Sequence, residues 1–80
     1  MEYELQTQYD SRKSFYGKAK VEVKDGVHYL YSYDTLVAEY NEKTGEVDVK
    51  GWYSATTARH INEFLQQLGF DKMTKTKMEA

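Results

Sequence analysis

Ala19, Val21 and Val23 recur at every second position on one side of Asp25-Gly26, and Leu30 and Ser32 do the same on the other. An Asp-Gly pair between two such runs supplies the positive φ angles of a two-residue type I′ turn, so it predicts a β-hairpin. Counting outward from that turn sets the register. Val23 faces His28, Glu22 faces Tyr29, Val21 faces Leu30, Lys20 faces Tyr31, Ala19 faces Ser32 and Lys18 faces Tyr33. One face then carries Ala19, Val21, Val23, Leu30 and Ser32, the expected core, while the other interleaves Lys18, Lys20 and Glu22 with Tyr29, Tyr31 and Tyr33. A bulge or a longer turn would exchange the two faces.

A second hairpin is signalled by Asn41-Glu42-Lys43-Thr44-Gly45 between Leu36–Tyr40 and Glu46–Lys50, with Gly45 suited to a left-handed position. Between the hairpins, Tyr33-Asp34-Thr35 contains neither glycine nor proline. Val27–Tyr40 is therefore either one long bent strand or two strands joined by a tight Asp/Thr turn. Glu2–Tyr9 alternates Tyr3, Leu5, Thr7 and Tyr9 with polar residues, as an additional edge strand would.

After the strands the period changes. Ala58, Ile61, Phe64, Leu65 and Leu68 recur at helical spacing, with Arg59, Asn62, Glu63, Gln66 and Gln67 opposite them. Ser54 is the expected N-cap, its hydroxyl accepting from the amide of Thr56 or Thr57. Gly69 stands where a left-handed C′ residue belongs, and Phe70 is placed to fold back on Leu65 in a Schellman ending. From Asp71 onward periodicity is lost. The expectation is one α+β domain over residues 1–70, an antiparallel meander of three to five strands with one C-terminal helix packed across one face, followed by a flexible polar tail over 71–80.

Composition narrows the chemistry. Eighty residues form one small domain, which buries only roughly 60% of its unfolded surface, so a deep catalytic cleft is not expected. With no cysteine and two histidines, thiolate chemistry and Cys/His zinc sites are excluded, and no nucleophilic triad is recognisable around His28 or His60. The five glycines form no phosphate loop, and Asn41, Glu42 and Glu46 lack the spacing of a calcium motif. No catalytic, cofactor or metal residue is assigned, and the chain is read as a non-enzyme. Met1 is followed by Glu2 and Glu4 with no apolar run, so the expectation is a cytoplasmic protein without a membrane partner.

Charge is unevenly distributed. Arg12–Lys24 carries a net +4 and Asp34–Asp48 a net −4, the ordinary reading being solvated faces that attract one another. Lys18 and Lys20 interleaved with tyrosines could serve nucleic acid, but a pI near 5.6 and the acidic second hairpin argue against a phosphate backbone as partner. Eight tyrosines are unusual for this length, and a protein partner uses such a surface without the electrostatic objection. Tyr29, Tyr31 and Tyr33 are the candidate contacts, joined by Arg59 and His60. Those two lie in the first half of the helix, where positive charge opposes the macrodipole, with Glu63 four residues on as a possible compensation.

Two stretches carry a resemblance. Ser32-Tyr-Asp-Thr-Leu-Val-Ala38, followed by Trp52-Tyr-Ser-Ala-Thr-Thr-Ala-Arg-His-Ile-Asn-Glu-Phe-Leu65, is similar to small uncharacterised proteins carried by phages, prophages and plasmids of Gram-positive bacteria. Their pattern is roughly SYxTxVA, then W/YSxTTxRHxxxFL, and it spans about half of this chain. The resemblance implies a mobile-element accessory protein inside a bacterial host cell, with no catalytic roles to transfer. The expected function is a small binding module acting on a host protein, of the anti-defence or host-takeover inhibitor type, with a nucleic-acid-associated accessory protein as the alternative.

Overall fold

The structure, a computed structural model, describes residues 1–79. Five strands form one antiparallel sheet in the order of the chain: β1 (Glu2–Glu4), β2 (Ala19–Lys24), β3 (Val27–Ser32), β4 (Thr35–Asn41) and β5 (Glu46–Val49). Two helices follow, α1 (Ala55–Gln67) and α2 (Lys75–Glu79). This is the expected α+β meander. No helix of the described residues is long and apolar enough to cross a membrane.

The β2–β3 register is the one counted from Asp25-Gly26, from Lys24 opposite Val27 to Ala19 opposite Ser32. Asp25 and Gly26 have φ of 52° and 81°, as a type I′ turn requires. Ala19, Val21, Leu30 and Ser32 are buried on the inner face, and the tyrosines of β3 face outward. Val27–Tyr40 is two strands. They meet in a second two-residue turn at Tyr33-Asp34, whose φ angles of 50° and 66° are left-handed although neither residue is glycine. One residue later the pairing shifts, Tyr31 facing Leu36 but Leu30 facing Ala38, so Val37 is the extra residue of a bulge. Val37 and Ala38 are consequently both buried.

The helix is capped as its sequence indicates. Ser54 Oγ accepts from the Thr57 amide at 3.1 Å. At the other end, the amides of Gly69 and Phe70 donate to the carbonyls of Gln66 and Leu65, the two bonds of a Schellman motif, with Gly69 at φ 90°. Ile61, Phe64 and Leu65 seal the inner face of the sheet.

Two expectations are corrected. The N-terminal strand ends at Glu4 rather than Tyr9, and the chain then leaves the sheet to pack Leu5 and Phe15 into the core beside α1. Nor do residues 71–79 fray; Ala80 lies outside the described residues. Asn62 holds the backbone of Met73 at both its N–H and its carbonyl, at 2.7 and 3.1 Å, and α2 delivers Met78 into the core at 2% exposure. Lys75 lies over the Trp52 ring, 4.4 Å from its centroid. A single buried methionine on a short helix leaves no periodicity to read.

Candidate functional site

His60 projects from α1 into the interior and is 1% exposed. Its Nδ1 lies 2.8 Å from Ser32 Oγ, which in turn lies 2.9 Å from Thr57 Oγ1. The inward position of Ser32 on β3 and the one-turn spacing of Thr57 and His60 on α1 make this three-membered bridge between sheet and helix. Phe15 meets the imidazole edge-on at 4.4 Å between centroids, and the Tyr33 ring lies at 5.8 Å. Burial holds the His60 pKa below its ordinary value of 6.5, opposed by Asp10 and reinforced by Arg12, so the ring is neutral near pH 7. The thiol-free Ser–His pair resembles part of a nucleophilic dyad, but its hydroxyl is buried and already shared with Thr57.

Above this bridge the surface opens into a hollow of about 200 Å³. His60 and Phe15 form its floor, Tyr16 and Tyr33 its aromatic walls, and Arg12, Lys18 and Arg59 its cations. Both tyrosines are strongly exposed, Tyr16 at 74% and Tyr33 at 53%, and both hold left-handed backbone, at φ 52° and 50°. That conformation costs about 1–2 kcal/mol for a residue with a Cβ. Arg59 donates from Nη1 to Asp10 Oδ1 at 2.8 Å, and the same oxygen accepts the Arg12 amide. The compensation expected from Glu63 is therefore supplied by Asp10 instead.

A second hollow adjoins the first and shares Lys18 and Tyr33 with it, adding Lys20, Tyr31 and Asp34. The structure thus gathers Arg59, His60, Tyr33, Tyr31, Lys18 and Lys20 along one edge of the molecule. It withdraws His60 from direct contact, because the ring is buried. Tyr29 stands apart, in a hollow with Glu39, Glu46 and Asp48. Sequence reasoning counted Arg12 in the basic stretch but not as a contact, and it missed Tyr16, since nothing periodic marks residues 10–18; Gly17, whose φ is 76° beside Tyr16 at 52°, was the available signal of a turn.

Charge pairing departs from the sequence expectation. Among the described residues, the basic side chains of 12–24 form no ion pair with the acids of 34–48. Glu39 and Asp48 take Lys50 at 2.9 and 2.7 Å, raising its pKa, and Glu42 takes His28 at 2.9 Å. Glu39 and Asp48 thus share one lysine from their own end of the sheet, and the basic side chains of 12–24 are left without a partner from 34–48.

Glu63, expected on the solvent side of α1, is 1% exposed. Its Oε1 accepts the amides of Gln8, Tyr9 and Asp10 at 3.0, 2.8 and 2.8 Å, and Oε2 accepts Gln67 Nε2 at 2.8 Å. Burial pushes the carboxyl up, but the bonds from Gln67 and the three amides outweigh it and hold the pKa below the ordinary value. This carboxylate fastens the segment that brings Asp10, Arg12 and Tyr16 to the site.

Asn41 Oδ1 is occupied by the amides of Lys43 and Thr44, and among the described residues no group of three or more His, Cys, Asp or Glu side chains could hold a metal ion. No curated protein and no solved structure matches the chain. The match that does exist covers residues 3–80, which includes both the two hollows and α2, and by it the chain belongs to DUF8033, a family of unknown function.

Proposed function

We propose that this protein is a non-enzymatic binding module that acts stoichiometrically on a host protein inside a bacterial cell, in the manner of an anti-defence or host-takeover inhibitor. The observation that carries this reading is the pair of exposed tyrosines, Tyr16 and Tyr33, held in left-handed turns around Arg12, Lys18 and Arg59. Glycine or asparagine would occupy both turns with less strain, so folding alone does not account for two bulky rings there. Tyrosine and arginine are the residues most often found at the centre of protein interfaces. The likeness of the Ser32–Ala38 and Trp52–Leu65 stretches to mobile-element proteins supports a host protein as the partner.

The partner offers an acidic surface, since the basic side chains along this edge are not neutralised by the acids of β4 and β5. A photo-crosslinking residue at position 16 or 33 tests the assignment. One host protein should be captured at equal stoichiometry, lost with Arg59→Ala and Tyr31→Ala, and retained with Tyr29→Ala. Capture that survives every substitution except Tyr29→Ala would move the interface to the acidic half of the sheet.

A second reading, nucleic-acid association, is favoured by one observation: Lys18, Lys20, Tyr31 and Tyr33 line a single hollow. Binding to single-stranded DNA or RNA that falls steeply with rising salt would support it, and absence of binding at low salt would end it.

A further inference from the structure

The first hollow carries chemistry that a flat protein contact does not require. Arg12 and Lys18 have no carboxylate partner among the described residues, and Arg59 spends one nitrogen on Asp10. Counting Asp10 against the three cations leaves a net charge of +2 around one concave space. A phosphate monoester carries about −1.5 to −2 at neutral pH, whereas a carboxylate or a phosphodiester carries a single charge. The neutral His60 ring completes the floor. The ring is held from below by Ser32 Oγ, 2.8 Å from Nδ1, and leaves contact with a ligand to the cations and tyrosines around it. Guanidinium groups suit such an anion because they present paired N–H donors in a plane.

The walls say what bears the phosphate. Tyr16 and Tyr33 expose their rings on opposite turns flanking the cations, and flat heteroaromatic bases stack on such rings. The surroundings limit the ligand's length. Past Lys20 and Tyr31 the surface turns to Glu2, Glu22 and Asp34, which would repel a continuing phosphodiester chain. At the other end Arg59 is held by Asp10 and also lines a neighbouring hollow of about 380 Å³, in which Asp10 and Glu63 set two carboxylates against a phosphate chain.

We infer that this hollow is a mononucleotide site, in which Arg12, Lys18 and Arg59 hold the phosphate monoester and Tyr16 and Tyr33 stack the base. The site stands on the hollow's own chemistry and is independent of the identity of any protein partner. Calorimetric and NMR titration of the full chain with AMP, GMP, CMP and UMP, beside inorganic phosphate and adenosine at constant ionic strength, tests it. At least one mononucleotide should bind about tenfold more tightly than either inorganic phosphate or adenosine. Its shifts should centre on residues 12–18, 33 and 56–60.

Arg12→Ala and Lys18→Ala should each weaken that binding about tenfold, with Lys43→Ala on the far hairpin as the neutral control. Both substituted side chains are exposed, so the fold is retained, which a thermal unfolding curve checks. Absence of saturable binding by all four mononucleotides in the millimolar range overturns the inference. So does equal affinity for inorganic phosphate, or tighter binding of a phosphoserine peptide or an oligonucleotide.

Discussion

Glu63 Oε1 accepts the Asp10 amide at 2.8 Å, joining the middle of α1 to a residue 53 positions earlier. The adjacent amides of Tyr9 and Gln8 converge on the same oxygen, so one buried carboxylate takes the place of the ladder partners that an extended β1 would have used. Glu63→Ala leaves three amides without an acceptor and should cost about 3–5 kcal/mol by urea denaturation. Glu63→Gln keeps an oxygen acceptor and should cost less. A loss below 1 kcal/mol for the alanine variant would mean that the segment rearranges at little expense.

The same carboxylate makes stability depend on acid. Its folded pKa lies below the unfolded value of 4.5, so its contribution is fully present above that value and is lost as pH falls through the lower folded pKa. Thermal midpoints of wild type and Glu63→Gln, followed downward from pH 5, should converge. Parallel curves would assign the acid transition to other groups.

His60 acts in the same direction at higher pH. Burial depresses its folded pKa below 6.5, so the unfolded chain binds the proton first and stability declines as pH falls below 6.5. In His60→Gln that portion of the pH profile should flatten, while a slope equal to wild type between pH 6.5 and 5 would show that the ring is already able to charge in place.

Arg59 separates binding from folding. Its ion pair with Asp10 is partly exposed, and such pairs contribute about 0–1 kcal/mol. Arg59→Ala should therefore unfold within about 1 kcal/mol of wild type while losing partner binding. Tyr16→Asn goes further: asparagine tolerates left-handed backbone, so stability should be unchanged or higher by up to about 1 kcal/mol, with binding weakened.

The C-terminal segment is a part of the core. Met78→Ala should cost about 2–5 kcal/mol, because the side chain is fully enclosed. Removing residues 71–80 should cost at least as much, since Asn62 also loses the Met73 backbone it binds. A truncated chain as stable as the whole would place α2 outside the cooperative unit.

Part of the candidate surface was legible in the sequence. Lys18, Lys20, Tyr31 and Tyr33 follow from the register of one hairpin, because a period-two pattern assigns every side chain to a face once the turn is known. Arg59 stood out on the helix as a charge at an unfavourable end of the dipole, and it does face the site. Arg12 and Tyr16 could not be placed at the site from sequence, since they belong to a segment held by side-chain bonds and two core residues rather than by a repeating backbone pattern.

What the sequence by itself determined is local: the Asp25-Gly26 turn, the β2–β3 register, the Ser54 cap and the Gly69 ending all depend on backbone geometry within a few residues. Tertiary structure alone decided that Glu63 is buried, that His60, at the border of the helix's apolar arc, is bonded to Ser32, that Asp10 rather than Glu63 pairs with Arg59, and that Met78 belongs to the core. A carboxylate or imidazole on a helix is ordinarily a solvent-facing group. It becomes an interior one only where distant chain supplies its partners, here three amides from residues 8–10 and one hydroxyl from β3, and no pattern along the helix records them.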